Sequence, residues 1–103
     1  MKAPLALGYT VITAKLAGYC ERSEILKAFC CDCLRRHASG DWGTLDPHDQ
    51  ALNDRTHETG EGRIISAYPF PESETQNTDL PDNRLWIITY PGQETTLLFP
   101  SDY

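Results

Sequence analysis

The stretch Leu85-Trp86-Ile87-Ile88-Thr89-Tyr90-Pro91-Gly92-Gln93-Glu94-Thr95-Thr96-Leu97-Leu98-Phe99 decides the fold. Both of its arms are rich in β-branched and aromatic residues, which suit a pleated, half-buried surface. Pro91-Gly92 between them predicts a tight turn and therefore a hairpin. Arg63-Ile64-Ile65-Ser66-Ala67-Tyr68 has the same composition, so a three-stranded antiparallel meander is expected. Between the first two strands, residues 71–84 are polar, acidic and interrupted by Pro71 and Pro81, which predicts a long exposed loop.

Upstream, the period changes from two to between three and four. Leu26, Phe29, Cys30, Cys33, Leu34 and His37 recur at the spacing of one buried helical stripe. Ser23 is suited to cap that helix, which is expected to run through Arg36. A shorter helix is expected over 13–19, with Thr13 as its cap and Gly18 near its end. A third is expected over 46–55, opened by Asp46-Pro47 and, with only Ala51 and Leu52 as apolar content, lying on the surface. Residues 7–12 read as a short strand. The expectation is an α+β fold, with N-terminal helices packed on the three-stranded meander and room for an extra N-terminal strand. One domain covers 1–103, with residues 1–6 weakly ordered.

The 103 residues carry 40% hydrophobic and 23% charged residues, an ordinary folded mixture that excludes a disordered or fibrous chain. No apolar run approaches the roughly 20 residues of a membrane helix. The apolar stretch after Lys2 is too short for a signal peptide, so a cytoplasmic location is expected. Charge is divided unevenly. Residues 1–38 have six basic and three acidic groups, net +3, whereas residues 39–103 have three basic and twelve acidic groups, net −9. Such a field repels nucleic acid and attracts a basic surface, so direct nucleic-acid binding is not expected.

Four cysteines lie at 20, 30, 31 and 33. Cys30 and Cys33 share a helix face with His37, so with Cys20 they form a weak candidate for zinc. The competing reading takes the same residues as the small apolar stripe of a buried helix, needing no metal or other cofactor. The densest polar cluster is Arg36-His37-Ala38-Ser39-Gly40-Asp41-Trp42-Gly43. Arg36, His37, Ser39 and Asp41 together suit phosphoester chemistry, with His37 as acid or base, Asp41 to orient it and Arg36 to hold a phosphate. The structural alternative makes His37 a satisfied core residue, Asp41 a turn cap and Trp42 a core lid. Ser66, Tyr68 and Thr89 lie on strands whose alternation can aim them at one pocket, whereas His48 and His57 sit in polar surroundings and read as solvent-facing.

From this cluster onward the chain resembles a family of small acidic proteins of bacterial plasmids, phages and other mobile elements. The resemblance runs through Arg36–Gly43, Leu45-Asp46, Ala51–Arg55, Arg63–Tyr68, Leu85–Thr89 and Thr95–Tyr103, in order, over residues 34–103. The family pattern is R-H-x-S-G-D-W-G, an S-A-Y strand, a W-I-I-T strand and an L-L-x-P-x-x-Y end. It implies a mobile-element setting in a bacterial host rather than a reaction. The acidic stretch 71–84 is longer than the hairpin expected there, and the cysteines lie outside the pattern.

Charge and resemblance together favour a non-enzymatic interaction protein, an inhibitor of a host defence or nucleic-acid-processing complex of the anti-CRISPR or anti-restriction type. Its carboxylates Glu72, Glu74, Asp79 and Asp82, with Asp41, are expected to enter a basic groove of a host protein or nucleoprotein complex. Trp42 or Trp86 is expected to serve as the apolar anchor. The alternative is a small nuclease or phosphotransferase built on Arg36, His37, Ser39 and Asp41.

Overall fold

The computed structural model describes residues 3–77 and 79–103. Ser23 is the only residue between the first two helices, α1 (Ala14–Arg22) and α2 (Glu24–Ala38). Its extended backbone ends one and starts the other, and its hydroxyl accepts the Leu26 N–H at 3.2 Å, as an N-cap should. α3 (Pro47–Thr59) is capped by the Asp46 carboxylate and closed by Gly60. The strands are β1 (Tyr9–Ile12), β2 (Ile64–Pro69), β3 (Arg84–Tyr90) and β4 (Glu94–Leu98), with a short helix α4 (Glu72–Asn77) before β3 and a 3-10 turn at Pro100–Asp102.

The sheet order is β1-β4-β3-β2. β2, β3 and β4 form the expected antiparallel meander, and β1 adds the extra strand, parallel to β4. Alternation divides the sheet. One face turns Tyr68, Phe70, Leu85, Ile87, Leu97 and Phe99 onto Leu16, Cys20, Leu26, Cys30 and Cys33 of α1 and α2. Leu16, Leu26, Leu85 and Ile87 are fully buried there, each worth roughly 1.5–3 kcal/mol. A smaller core joins Leu5, Trp42 and Ile64. Among the described residues, no helix is long and apolar enough to cross a membrane.

The open edge of β2 is sealed residue by residue. Asn53 of α3 acts as a surrogate strand: its amide donates to the Ile65 carbonyl at 2.8 Å and its carbonyl accepts the Ile65 N–H at 3.4 Å. Two residues on, Ala67 donates to the Trp42 carbonyl at 3.2 Å and accepts the Thr44 N–H at 2.8 Å. The next outward position is Pro69, which has no N–H to satisfy. Gly43 makes this approach possible, because at φ 77° a Cβ would run into the Ala67 carbonyl.

Four expectations are corrected. Gly18 lies inside α1, which continues to Arg22, because a glycine costs a helix only about 1 kcal/mol against alanine and the burial of Leu16 and Cys20 on either side outweighs it. Thr13 does not cap that helix with its side chain, and instead its hydroxyl donates to Asp102 at 2.8 Å. The stretch 71–84 is not wholly an exposed loop: it contains α4, and Glu74 is buried with a carboxylate oxygen accepting the Ser23 hydroxyl at 2.6 Å. The N-terminal segment is anchored, with Leu5 buried and its N–H donating to the Ala38 carbonyl at 2.9 Å; positions 1 and 2 lie outside the described residues.

Asn53→Ala is expected to lower stability by about 1–3 kcal/mol in urea unfolding. Its Ile65 amide should exchange faster than in the parent chain. An unchanged midpoint and unchanged exchange would show that the surrogate strand is dispensable.

Candidate functional site

The sequence cluster 36–43 begins in the last turn of α2. Gly40, at φ 91°, reverses the chain and brings Asp41 back to Arg36. The Arg36 guanidinium donates to one Asp41 oxygen at 2.7 Å, and the other oxygen accepts the Gly43 N–H at 3.1 Å. These bonds hold the Asp41 carboxyl below its usual range, the arginine contributing most. Arg36 also lies 4.8 Å over the Tyr68 ring, and the Tyr68 hydroxyl donates to the Asp41 carbonyl at 2.6 Å. The Ser39 hydroxyl donates to the Arg36 carbonyl at 2.8 Å. The turn is therefore a clamp that closes α2 against β2.

His37 points the other way, into the protein, and is fully buried. Its Nδ1 is 2.6 Å from the Ser66 hydroxyl and its Nε2 is 2.7 Å from the Thr89 hydroxyl. Thr89 is in turn 2.7 Å from Thr95, whose hydroxyl donates to the Leu7 carbonyl at 2.8 Å. A carbonyl only accepts, so the Leu7 end fixes every proton in the chain. Thr95 spends its hydrogen on Leu7, Thr89 donates to Thr95, and His37 must donate from Nε2 to Thr89. Nδ1 is then bare and accepts from Ser66. The imidazole is neutral, and burial, helped by nearby His57, lowers its pKa to about 4.

The proposed quartet of Arg36, His37, Ser39 and Asp41 does not converge. Arg36 and Asp41 meet, but both ring nitrogens of His37 are engaged with Ser66 and Thr89, and Ser39 is exposed on its own cap bond. The pocket anticipated for Ser66 and Thr89 is occupied by His37 itself, while Tyr68 turns its hydroxyl to Asp41. His57 is half-buried, 5.8 Å from the Trp42 ring, rather than solvent-facing; His48 is exposed as expected.

The sulfur ligands do not assemble with His37 either. Cys20 and Cys30 touch at 3.7 Å, Cys31 is exposed, and burial pushes the Cys33 thiol up to about 12. Among the described residues, no three His, Cys, Asp or Glu side chains are placed to hold a metal ion together.

The carboxylates expected to meet a partner separate into two groups. Glu74 is bound to Ser23, Asp82 accepts the Ser101 hydroxyl at 2.7 Å, and Asp41 is bound to Arg36, so these three serve the fold. Glu72 and Asp79 are exposed. Trp42 is buried between His37 and His57, with its indole N–H on Asp54 at 2.9 Å, so it cannot anchor a partner. Trp86 stays half-buried, in a cleft of about 420 Å³ beside α3. Missing from the sequence-based site is α3, where Asp46, Asp49, Asp54, Glu58 and Glu61 are all exposed across the helix and its exit. Its near lack of apolar residues was the available signal.

Stability should fall with pH through His37. Its folded pKa lies below the unfolded value of 6.5, so the unfolded chain binds the proton first. The resulting loss starts near pH 6.5 and reaches roughly 3 kcal/mol by about pH 4. Urea unfolding of the parent and of His37→Gln across this range isolates the effect, which the variant should lack. A ring that titrates near its ordinary value in the folded protein would contradict the assigned network. No protein-family model, characterised protein or solved structure matches the chain, so its chemistry has to be taken from its own residues.

Proposed function

We propose that this chain is a non-enzymatic, acidic interaction protein whose α3 surface occupies a Lys/Arg-lined groove built for nucleic acid. The observation that carries the reading is the composition of 46–61: five exposed carboxylates against Arg55 alone, of which Asp46 caps the helix and Asp54 holds the Trp42 indole, leaving Asp49, Glu58 and Glu61 to face a partner, with Asn53 the only buried residue of the helix. Asp49, Glu58 and Glu61 have no ion-pair partner among the described residues. A basic groove would attract these three carboxylates and speed encounter.

Asp49 and Glu58 are nine residues apart and so stand on opposite sides of α3, Asp49 beside Arg63 and Arg84 and Glu58 beside Asp54 and His57, so a groove that meets both must embrace the helix. Glu72 and Asp79 add charge elsewhere on the surface. The internal engagement of His37 supports a binding role over a nuclease or phosphotransferase. The resemblance to mobile-element proteins supports an inhibitor of a host defence or nucleic-acid-processing complex, of anti-restriction or anti-CRISPR type, acting in the cytoplasm of a bacterial host.

The test is capture of basic nucleic-acid-binding proteins from bacterial lysate. Capture should be strong at about 50 mM salt, weak at about 500 mM, and displaced by duplex DNA. The combined Asp49→Asn, Glu58→Gln, Glu61→Gln variant spares the cap and the Trp42 contact, and should lose most of it. Capture indifferent to salt and to that variant, or hydrolysis of a phosphodiester by the protein alone, would overturn the proposal.

A further inference from the structure

The two edges of the sheet are treated in opposite ways. β2 is sealed by Asn53, by residues 42–44 and by Pro69. β1 is the other outermost strand, and nothing among the described residues pairs with its outer side. Tyr9 donates to the Gln93 carbonyl at 3.0 Å and Thr13 to the Leu97 carbonyl at 3.1 Å. With a period of two, Tyr9, Val11 and Thr13 therefore face β4, and the backbone N–H and C=O of Thr10 and Ile12 face outward. An edge of this kind is a template for another strand unless lysine, proline or a bulge blunts it. The edge sequence Tyr9-Thr10-Val11-Ile12 contains neither lysine nor proline.

Its side chains point to the same end. Tyr9, Val11 and Ile12 are 82%, 48% and 40% exposed. Charge selects the occupant. The chain has fifteen Asp and Glu residues, yet none before Glu21. The edge strand itself carries no charged side chain, and the carboxylates Glu94, opposite Tyr9 in β4, and Asp102, on the Thr13 hydroxyl, lie beside it rather than on it, so two copies of an acidic protein can meet here backbone to backbone.

We propose that the outer edge of β1 is the two-fold contact of a homodimer, with β1 of each protomer antiparallel to β1 of its partner and the two sheets joined into eight strands. Register follows from which groups face outward. Thr10 opposite Ile12 of the partner subunit, and the reverse, satisfies all four outward N–H groups and carbonyls of each strand pair and keeps the sheet faces continuous. Val11 then meets its own copy on the axis. Centring on Thr10 instead would require Gly8 as a strand residue, and Gly8 has φ 64°. In the favoured register, Ile12 of the partner subunit lies beside a cleft of about 250 Å³ between β1 and α2, lined by Thr10, Lys27, Cys31 and Leu34 among others. This inference rests on β1 alone and is independent of what α3 binds.

Sedimentation equilibrium of the full chain from about 10 μM to about 1 mM should show a concentration-dependent dimer. Val11→Lys places like charges on the axis and should return the monomer with an unchanged thermal melt. Thr10→Asp, on the opposite face of the strand, should do the same. Amide exchange at Thr10 and Ile12 should slow as the parent dimerises and stay fast in both variants. A parent chain still monomeric at the top of this range, or a dimer that both variants leave intact, would overturn the proposal. A monomer whose edge instead accepts an extended peptide would assign β1 to another protein.

Discussion

One buried imidazole organises the middle of this protein. His37 joins α2 to β2 through Ser66 and to β3 through Thr89, and the chain continues through Thr95 of β4 to the Leu7 carbonyl. Five segments are fixed by four short bonds, made by side chains that are fully buried. A polar group left unpaired there would cost about 1–3 kcal/mol, so each member depends on the rest being in place. The network also holds the helix to the sheet in one register, which apolar packing alone would specify less tightly.

The clamp on the outer side of the same turn complements it. Arg36, Asp41 and Tyr68 bind the end of α2 to β2 where solvent reaches, while His37 does so inside. Residues that read as a reaction centre in one dimension are thus divided by the helix surface into an inner and an outer set. Adjacent positions on a helix point about 100° apart, so Arg36 and His37 cannot serve one small substrate from the same side.

Surface charge and sheet edges follow a common division of labour. The second half of the chain concentrates carboxylates on α3, whose single buried residue, Asn53, finishes the β2 edge. The first half leaves the outer edge of β1 unpaired among the described residues, on a strand without an acidic residue. One helix therefore seals the sheet and presents charge, while the opposite edge offers apolar side chains and unpaired backbone groups.

The meander, the Ser23 cap and the Asp46-Pro47 helix start were legible because each depends on residues a few positions apart: alternation, a capping hydroxyl, a proline at a first turn. The burial of Leu26, Cys30, Cys33 and His37 was legible from period alone. The partners of those side chains were not. Glu74 looked like a loop carboxylate until Ser23, 51 residues away, supplied its bond. Trp42 looked like an anchor until Leu5, Ile64 and Asp54 enclosed it. Local spacing determined which residues face inward and where helices and strands begin. Only the tertiary structure decided which polar groups spend their hydrogen bonds inside the molecule and which remain at its surface, because those bonds close between segments whose separation no local pattern encodes.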